Sequence, residues 1–380
     1  MGAAEEQAVE RALSRRMWQS AGVAALAGLA WVGRDVPAQL GGRLTGARLA
    51  RAACSPQFRD GTFHNPTSTR TIVADPGRNL LKELIFGKQK RRPGSDVPLL
   101  RPADPALADP ARELGIVWYG HASLLIEVEG HRVLVDPVWS DRCSPSPLIG
   151  PRRIHEPPVR LDELPRLDAI LISHDHYDHL DLATVRGLLA HQSAPFVVPL
   201  GVGAHLDRWG VPEERIVELD WSESHRVGAL TLTATAAQHF SGRGLRRDGT
   251  LWSSWVVAGA HRKVFYTGDS GYFDGYTPIG AEHGPFDVTL MQIGAYDRAW
   301  PSIHMFPEEA VAAHLDLRGD LLIPVHWATF NLALHGWSEP VDRLWAEAKA
   351  RDVRLAVPRP GERVVVDDPP PVDGWWQAIA

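Results

Sequence analysis

One short stretch reads Ser173-His174-Asp175-His176-Tyr177-Asp178-His179-Leu180, and four of its residues, His174, His176, Asp178 and His179, are of the kinds that bind metal ions. Imidazole nitrogen suits zinc and a carboxylate adds compensating charge, whereas Mg2+ and Ca2+ prefer shells of oxygen. Neighbouring side chains on a loop fan out in different directions. One stretch can therefore serve two metals, with His174 and His176 on the first and Asp178 and His179 on the second. The competing reading is a polar loop with chance histidines. The density of ligand types directly after an apolar run argues against it.

Four residues cannot complete two sites, so further ligands must arrive from elsewhere. His239 follows the apolar run 230–236, Asp269 follows 263–267 and His326 follows 321–325. Each falls at the C-terminal end of an expected strand, where open α/β architectures gather ligand-binding groups. A carboxylate such as Asp269 can bridge two cations. Seven protein ligands shared by two ions leave coordination positions for water, the mark of a catalytic rather than a structural site. His304, in the loop before Pro307, lies on the same edge and is a candidate hydrogen-bond donor or acid. His191, His205, His225, His261 and His283 show no partner pattern and read as surface or satisfied polar residues; His335 is left undecided.

Positioning such groups requires strands that end together. Runs 116–119, 123–128 and 132–135 read as strands, the last two joined by a Glu129-Gly130 turn, and 169–172 as a buried strand leading into the His/Asp cluster. Asp181 is the expected N-cap of a helix over 183–189. Strands are expected at 196–199, 215–219, 230–236, 254–258, 263–267, 286–292 and 321–325, with helices at 79–86, 203–209, 307–317 and 339–350. Strands come first as hairpins and then alternate with helices, which describes an α/β layered domain.

The chain has 380 residues, 44% of them hydrophobic and 23% charged, which excludes a disordered, collagen-like or disulfide-stapled protein. Its formal net charge of -6 argues against nucleic acid as a partner. Cys54 and Cys143 are too few for a thiolate cluster. Residues 1–50 form a separate segment, in which basic residues at 14–18 precede an apolar run over 21–32. Those twelve residues are too few for a hydrocarbon core that needs about 20. The segment reads as a membrane-associated or docked helix, with an export signal as the alternative. Residues 51–113 read as a lead-in wrapping the core, and 114–380 as the catalytic domain. The basic run 88–92 reads as a solvated loop. The polar, basic stretch 241–250 reads as a solvated loop or, if it borders the cleft, as a site for an anionic head group.

The metal-ligand pattern resembles that of the metallo-β-lactamase superfamily: a His-x-His-x-Asp-His stretch followed by a His, an Asp and a His at later strand ends. Longer blocks resemble, in order and spacing, the N-acylphosphatidylethanolamine-hydrolysing phospholipase D family. Among them are Trp118-Tyr119-Gly120-His121-Ala122-Ser123, Asp136-Pro137-Val138-Trp139-Ser140, Leu251-Trp252-Ser253-Ser254-Trp255, Gly268-Asp269-Ser270-Gly271-Tyr272 and His326-Trp327-Ala328-Thr329-Phe330. The match covers roughly residues 58–340. It implies an αββα four-layer sandwich with two zinc ions along one edge. His174, His176 and His239 would hold the first, Asp178, His179 and His326 the second, and Asp269 would bridge. It also implies that His304 faces the substrate and that Asp136 is an acid beside the metals, orienting a ligand.

The expected activity is hydrolysis of N-acylated glycerophospholipids to N-acylethanolamine and phosphatidic acid. In it a water shared by two zinc ions has its pKa lowered from about 15.7 toward about 7 and attacks as a metal-bridging hydroxide. Asp269 is the candidate proton acceptor, and His304 would orient the phosphate or help the leaving group. The expected partners are a phospholipid or other phosphodiester and the membrane surface, with a homodimer left open. One alternative keeps the metals and changes the substrate to soluble phosphodiesters such as cyclic nucleotides, or to lactones or amides. Another, a non-catalytic binding protein, has no need for open coordination positions.

Overall fold

The computed structural model describes residues 36–67, 71–73, 77–101 and 114–380. The apolar run 21–32 and its basic flank lie outside the described residues. After helices α1 (Val36–Gln39) and α2 (Gly46–Ala53), strands β1 (Phe58–Arg59) and β2 (Thr62–Phe63) and helix α3 (Leu80–Phe86), strand β3 (Gly115–Gly120) shows how the layers arise. Val117 and Tyr119 turn to one face, Ile116 and Trp118 to the other, and both faces are buried, as the two-residue period of a strand requires. Val117 and Tyr119 pack with Leu182, Val185 and Leu188 of helix α4 (Leu182–His191) and with Leu206 of α5 (Gly203–Arg208). Ile116 and Trp118 join a second core shared with the other sheet.

In the first sheet β3, β4 (Ser123–Val128) and β5 (His131–Val135) run antiparallel, then β6 (Ala169–Leu171), β7 (Phe196–Pro199) and β8 (Ile216–Leu219) run parallel. The parallel pairs β6–β7 and β7–β8 need crossovers, supplied by α4 and α5. The second sheet repeats the plan. Strands β9 (Ser224–Val227), β10 (Leu230–Thr235), β11 (Ser254–Ala258) and β12 (Lys263–Tyr266) are antiparallel. Strands β13 (Phe286–Gln292), β14 (Gly319–Val325) and β15 (Arg354–Leu355) follow in parallel. Helices α6 (Tyr276–His283), α7 (Pro307–Asp316) and α8 (Glu339–Ala350) make those crossovers. Leu232, Trp255, Val257 and Tyr266 of this sheet meet Leu124, Val133 and Leu171 of the first. The result is an αββα sandwich.

Asp181 caps α4, its carboxylate accepting from the backbone N–H groups of Ala183 and Thr184, as expected from sequence. Strand β9 and strand β16 (Arg363–Val365) were not expected. Both are short and carry arginines, so neither shows the apolar run that marks a buried strand; β16 is placed by pairing with β3. Helix α2 (Gly46–Ala53) crosses the expected boundary at residue 50. Its Arg48 pairs with Glu213 and Glu218, and its Arg51 pairs with Glu223. Ala52 packs with Phe63, Leu200, Leu251 and Trp252. Residues 36–63 are thus built onto the catalytic domain. Both cysteines are free. Trp118, Trp252, Trp255 and Trp327 are buried, and Trp139 and Trp221 are half-buried. No helix among the described residues is long and apolar enough to cross a membrane.

Candidate metal centre

The His/Asp loop begins where β6 ends, and its histidines are placed by the groups behind them. Asp136, fully buried at the end of β5, accepts hydrogen bonds from the Ser173 amide and hydroxyl, the Tyr266 hydroxyl and, at 2.7 Å, His179 Nδ1. The Ser173 hydroxyl in turn accepts from His174 Nδ1 at 2.9 Å. His239 Nδ1 donates to the Ile303 carbonyl at 2.9 Å. With each Nδ1 committed as a donor, the Nε2 atoms of His174, His179 and His239 present lone pairs to the centre. Asp136 thus bonds His179 from behind and orients that ring, the kind of role the resemblance implied for it.

Those lone pairs converge. His174 Nε2 and His239 Nε2 lie 2.8 and 3.3 Å from His176 Nδ1. His174, His176, His239 and Asp269 form one group whose ligand atoms lie within 4.8 Å of one another; His121, Asp178, His179 and His326 form a second. Asp269 Oδ2 stands between them, 3.2 Å from His179 Nε2, 3.1 Å from His326 Nε2, and 3.8 and 3.9 Å from His239 and His174. His304 Nε2 is 3.9 Å from the same oxygen. The residues expected to bind metal are thus brought together, in two groups of which the second also holds His121.

Charge and burial fit cations. Burial, with neighbouring imidazoles, drives His174 and His239 well below the ordinary histidine value, and burial lowers His176. At His179 burial pulls down, but Asp269, Asp178 and Asp136 outweigh it and raise the ring well above that value. Burial likewise opposes ionisation of Asp178 and Asp269, yet His179 and its neighbours hold both well below the usual carboxylate range. Two buried carboxylates thus demand positive charge. His179 Nε2 and Asp269 Oδ1 are buried with no hydrogen-bond partner among the described residues. A nitrogen-rich donor set with two acids is the chemistry that zinc takes.

His121, quoted above only within a block of resemblance, was not among the expected ligands. It follows β3, and its Nε2 donates to Asp178 Oδ2 at 2.9 Å. The signal that found His239 and His326, a histidine just past a strand, applied to it equally. His121, Asp136 and His326 all hold positive φ, at 52°, 40° and 66°, a conformation that non-glycine residues adopt where the surroundings compel it. Gly268 has φ 58°, and a Cβ there would come 2.7 Å from that of Ser173, so only glycine leaves room for the Asp136–Ser173 support.

A cleft of about 300 Å3 opens over the centre, lined by His176, Asp178, Asp269 and His304, by apolar Ile72, Trp300, Ile303 and Leu332, and by Phe240 and Arg247. Burial lowers His304 to about 4, leaving a neutral ring at pH 7. The 241–250 stretch borders this cleft through Arg247, while residues 244–247 and 249 are exposed as a solvated loop would be. Its Arg243 is buried, donating at 2.7 Å to the carbonyls of Asp175 and Leu180 and at 2.8 Å to that of Gln39, between the rings of Tyr177 and Trp209. Asn65 of the lead-in pairs with the backbone of His239 through both its amide atoms. His205 Nε2 bonds the Asp175 carboxylate, and His335 accepts from the Ala295 amide and stacks on Tyr296.

Residues 131–327 match the model of the beta-lactamase superfamily domain. An uncharacterized protein of Mycobacterium tuberculosis is 50% identical over 371 residues, 96% of this chain and 99% of that protein. The N-acyl-phosphatidylethanolamine-hydrolyzing phospholipase D 1 of Caenorhabditis elegans is 34% identical over 310 residues, 76% of this chain and 87% of that protein. Among solved structures, Igni18, a metallo hydrolase of the archaeon Ignicoccus hospitalis, superposes with a TM-score of 0.52 at 21% identity, over 66% of this chain and 97% of that one. That likeness speaks for the fold.

Proposed function

The chain belongs to the beta-lactamase superfamily and, within it, to the family of the N-acyl-phosphatidylethanolamine-hydrolyzing phospholipases D; from that premise we propose that this metal-dependent hydrolase binds two zinc ions and cleaves N-acylated glycerophospholipids at a membrane surface. The observation that carries the two-metal reading is the position of Asp269 Oδ2 between two histidine sets. His174, His176 and His239 would hold one ion, Asp178, His179 and His326 the other, and Asp269 both. The substrate reading is supported by the relative's 34% identity along most of both chains and by the apolar cleft walls.

When bound, the two ions would acidify a water and offset phosphate charge. The chain's own residues do the rest. Asp269, between the two histidine sets, would accept the proton that an attacking water loses. His304, neutral, offers one N–H toward the phosphate or the departing oxygen. Ile72, Trp300, Ile303 and Leu332 give the acyl and glycerol portions an apolar wall. Ile72 is 66% exposed, and Leu245, on the loop bordering the cleft, is fully exposed; both suit entry of a lipid from an interface.

The test is zinc content together with turnover of N-acylphosphatidylethanolamine in mixed micelles. Two zinc per chain and release of phosphatidic acid, abolished by Asp269→Asn and reduced by His304→Ala, is the expected result. Two zinc with turnover of soluble diesters alone would move the substrate and keep the site. Less than one zinc per chain under replete conditions would defeat the dinuclear assignment.

A further inference from the structure

Arg247 is the one lysine or arginine among the described residues lining the cleft over the metal centre. Its guanidinium lies 4.1 Å from the centre of the Phe240 ring. Phe240 in turn packs edge-on against His176 at 4.5 Å and beside His239 at 4.8 Å. Arg247 is exposed, and its stack on Phe240 sets the cation beside two of the candidate ligands. Among the described residues nothing accepts a hydrogen bond from it. The adjacent Asp248 turns its carboxylate to the Ser241 amide instead. Arg243, on the same loop, has all its donors directed inward, so the loop divides its arginines between support and solvent.

We propose that Arg247 is the anion-recognising residue of the cleft, selecting negatively charged phosphodiesters over neutral esters and lactones; this rests on the phosphodiesterase reading above. A guanidinium offers a planar fork of N–H donors that matches two phosphate oxygens. Stacking on Phe240 keeps its face occupied and its edge open. In the hydrolysis, water oxygen bonds to phosphorus and the bond to the N-acylethanolamine oxygen breaks. The departing oxygen keeps the electron pair and takes a proton. The remaining phosphomonoester carries more negative charge than the diester, so the contact strengthens along the reaction.

Zinc-loaded full-length protein is assayed with bis(4-nitrophenyl) phosphate and with neutral 4-nitrophenyl acetate. The ratio of kcat/KM for diester over ester is expected to fall about tenfold or more in Arg247→Met, the scale of one charge-assisted contact. Arg247→Lys restores most of it, and the exposed neighbour variant Arg246→Met leaves the ratio as in wild type. Calorimetric binding of phenyl phosphate should weaken with the ratio. A ratio and an affinity both within twofold of wild type in Arg247→Met would overturn the assignment of Arg247 alone. Absence of diester turnover in wild type, with ester turnover present, would overturn the phosphodiesterase reading and Arg247 with it.

Discussion

At the scale of single residues, the centre depends on the groups that stand behind the histidines. His121 fixes the Asp178 carboxylate, which also lies 3.2 Å from His326 and 3.4 Å from His179. Replacing it with phenylalanine should cost about 10–100-fold in metal affinity, read by competition with a chelator. An affinity equal to wild type would show that Asp178 is positioned without it. Tyr266→Phe removes one of four donors to Asp136 and should cost less, since the Ser173 and His179 bonds remain. The contiguous ligands were legible in the sequence because one loop carries them. Asp136 entered only through resemblance, because its partners Tyr266 and His179 are 130 and 43 residues away. His121 had the same strand-end signal as the others, but its acceptor lies 57 residues on.

At the scale of elements, the ligand loop is clamped from outside. Arg243 ties both Asp175 and Leu180, near the two ends of that loop, to the 241–250 stretch and to Gln39. Arg243→Met should destabilise the fold by roughly 2–4 kcal/mol, through carbonyls left without a charged donor, and should loosen metal binding. Arg243→Lys can reach only part of that set and should recover a fraction. A melting temperature unchanged in Arg243→Met would refute the clamp. Most strands and helices of both sheets, α6 excepted, were legible from their apolar runs and caps, whereas this loop's polar, glycine-containing text looked solvated. A buried arginine satisfied by backbone carbonyls leaves no local pattern. The same holds for β16, whose place is decided by pairing with a strand 248 residues before it in register.

At the scale of the whole molecule, stability should respond to acid. His314 is buried on α7 and bonded to the Thr289 hydroxyl at 2.7 Å, and burial lowers it to about 4. An unfolded histidine titrates near 6.5. Between roughly pH 6.5 and 4 the unfolded chain takes up a proton that the folded chain refuses. The stability present above about 6.5 is therefore lost as pH falls toward 4, on the order of 2–3 kcal/mol. His314→Gln should flatten that acid limb in urea unfolding measured from pH 7.5 to 4.5; curves parallel to wild type would contradict this. Removing metal should also lower the melting temperature, by an amount that grows with the free metal concentration at which the loaded protein is compared.

That last effect follows from where the ligands come from. His174, His176, Asp178 and His179 follow β6 of the first sheet, while His239, Asp269 and His326 follow β10, β12 and β14 of the second. A chain whose sheets have not yet closed on each other offers a cation one loop and nothing opposite it. The assembled centre thus needs both sheets in place, and a tightly held ion would certify that both halves of the molecule have met in the right register.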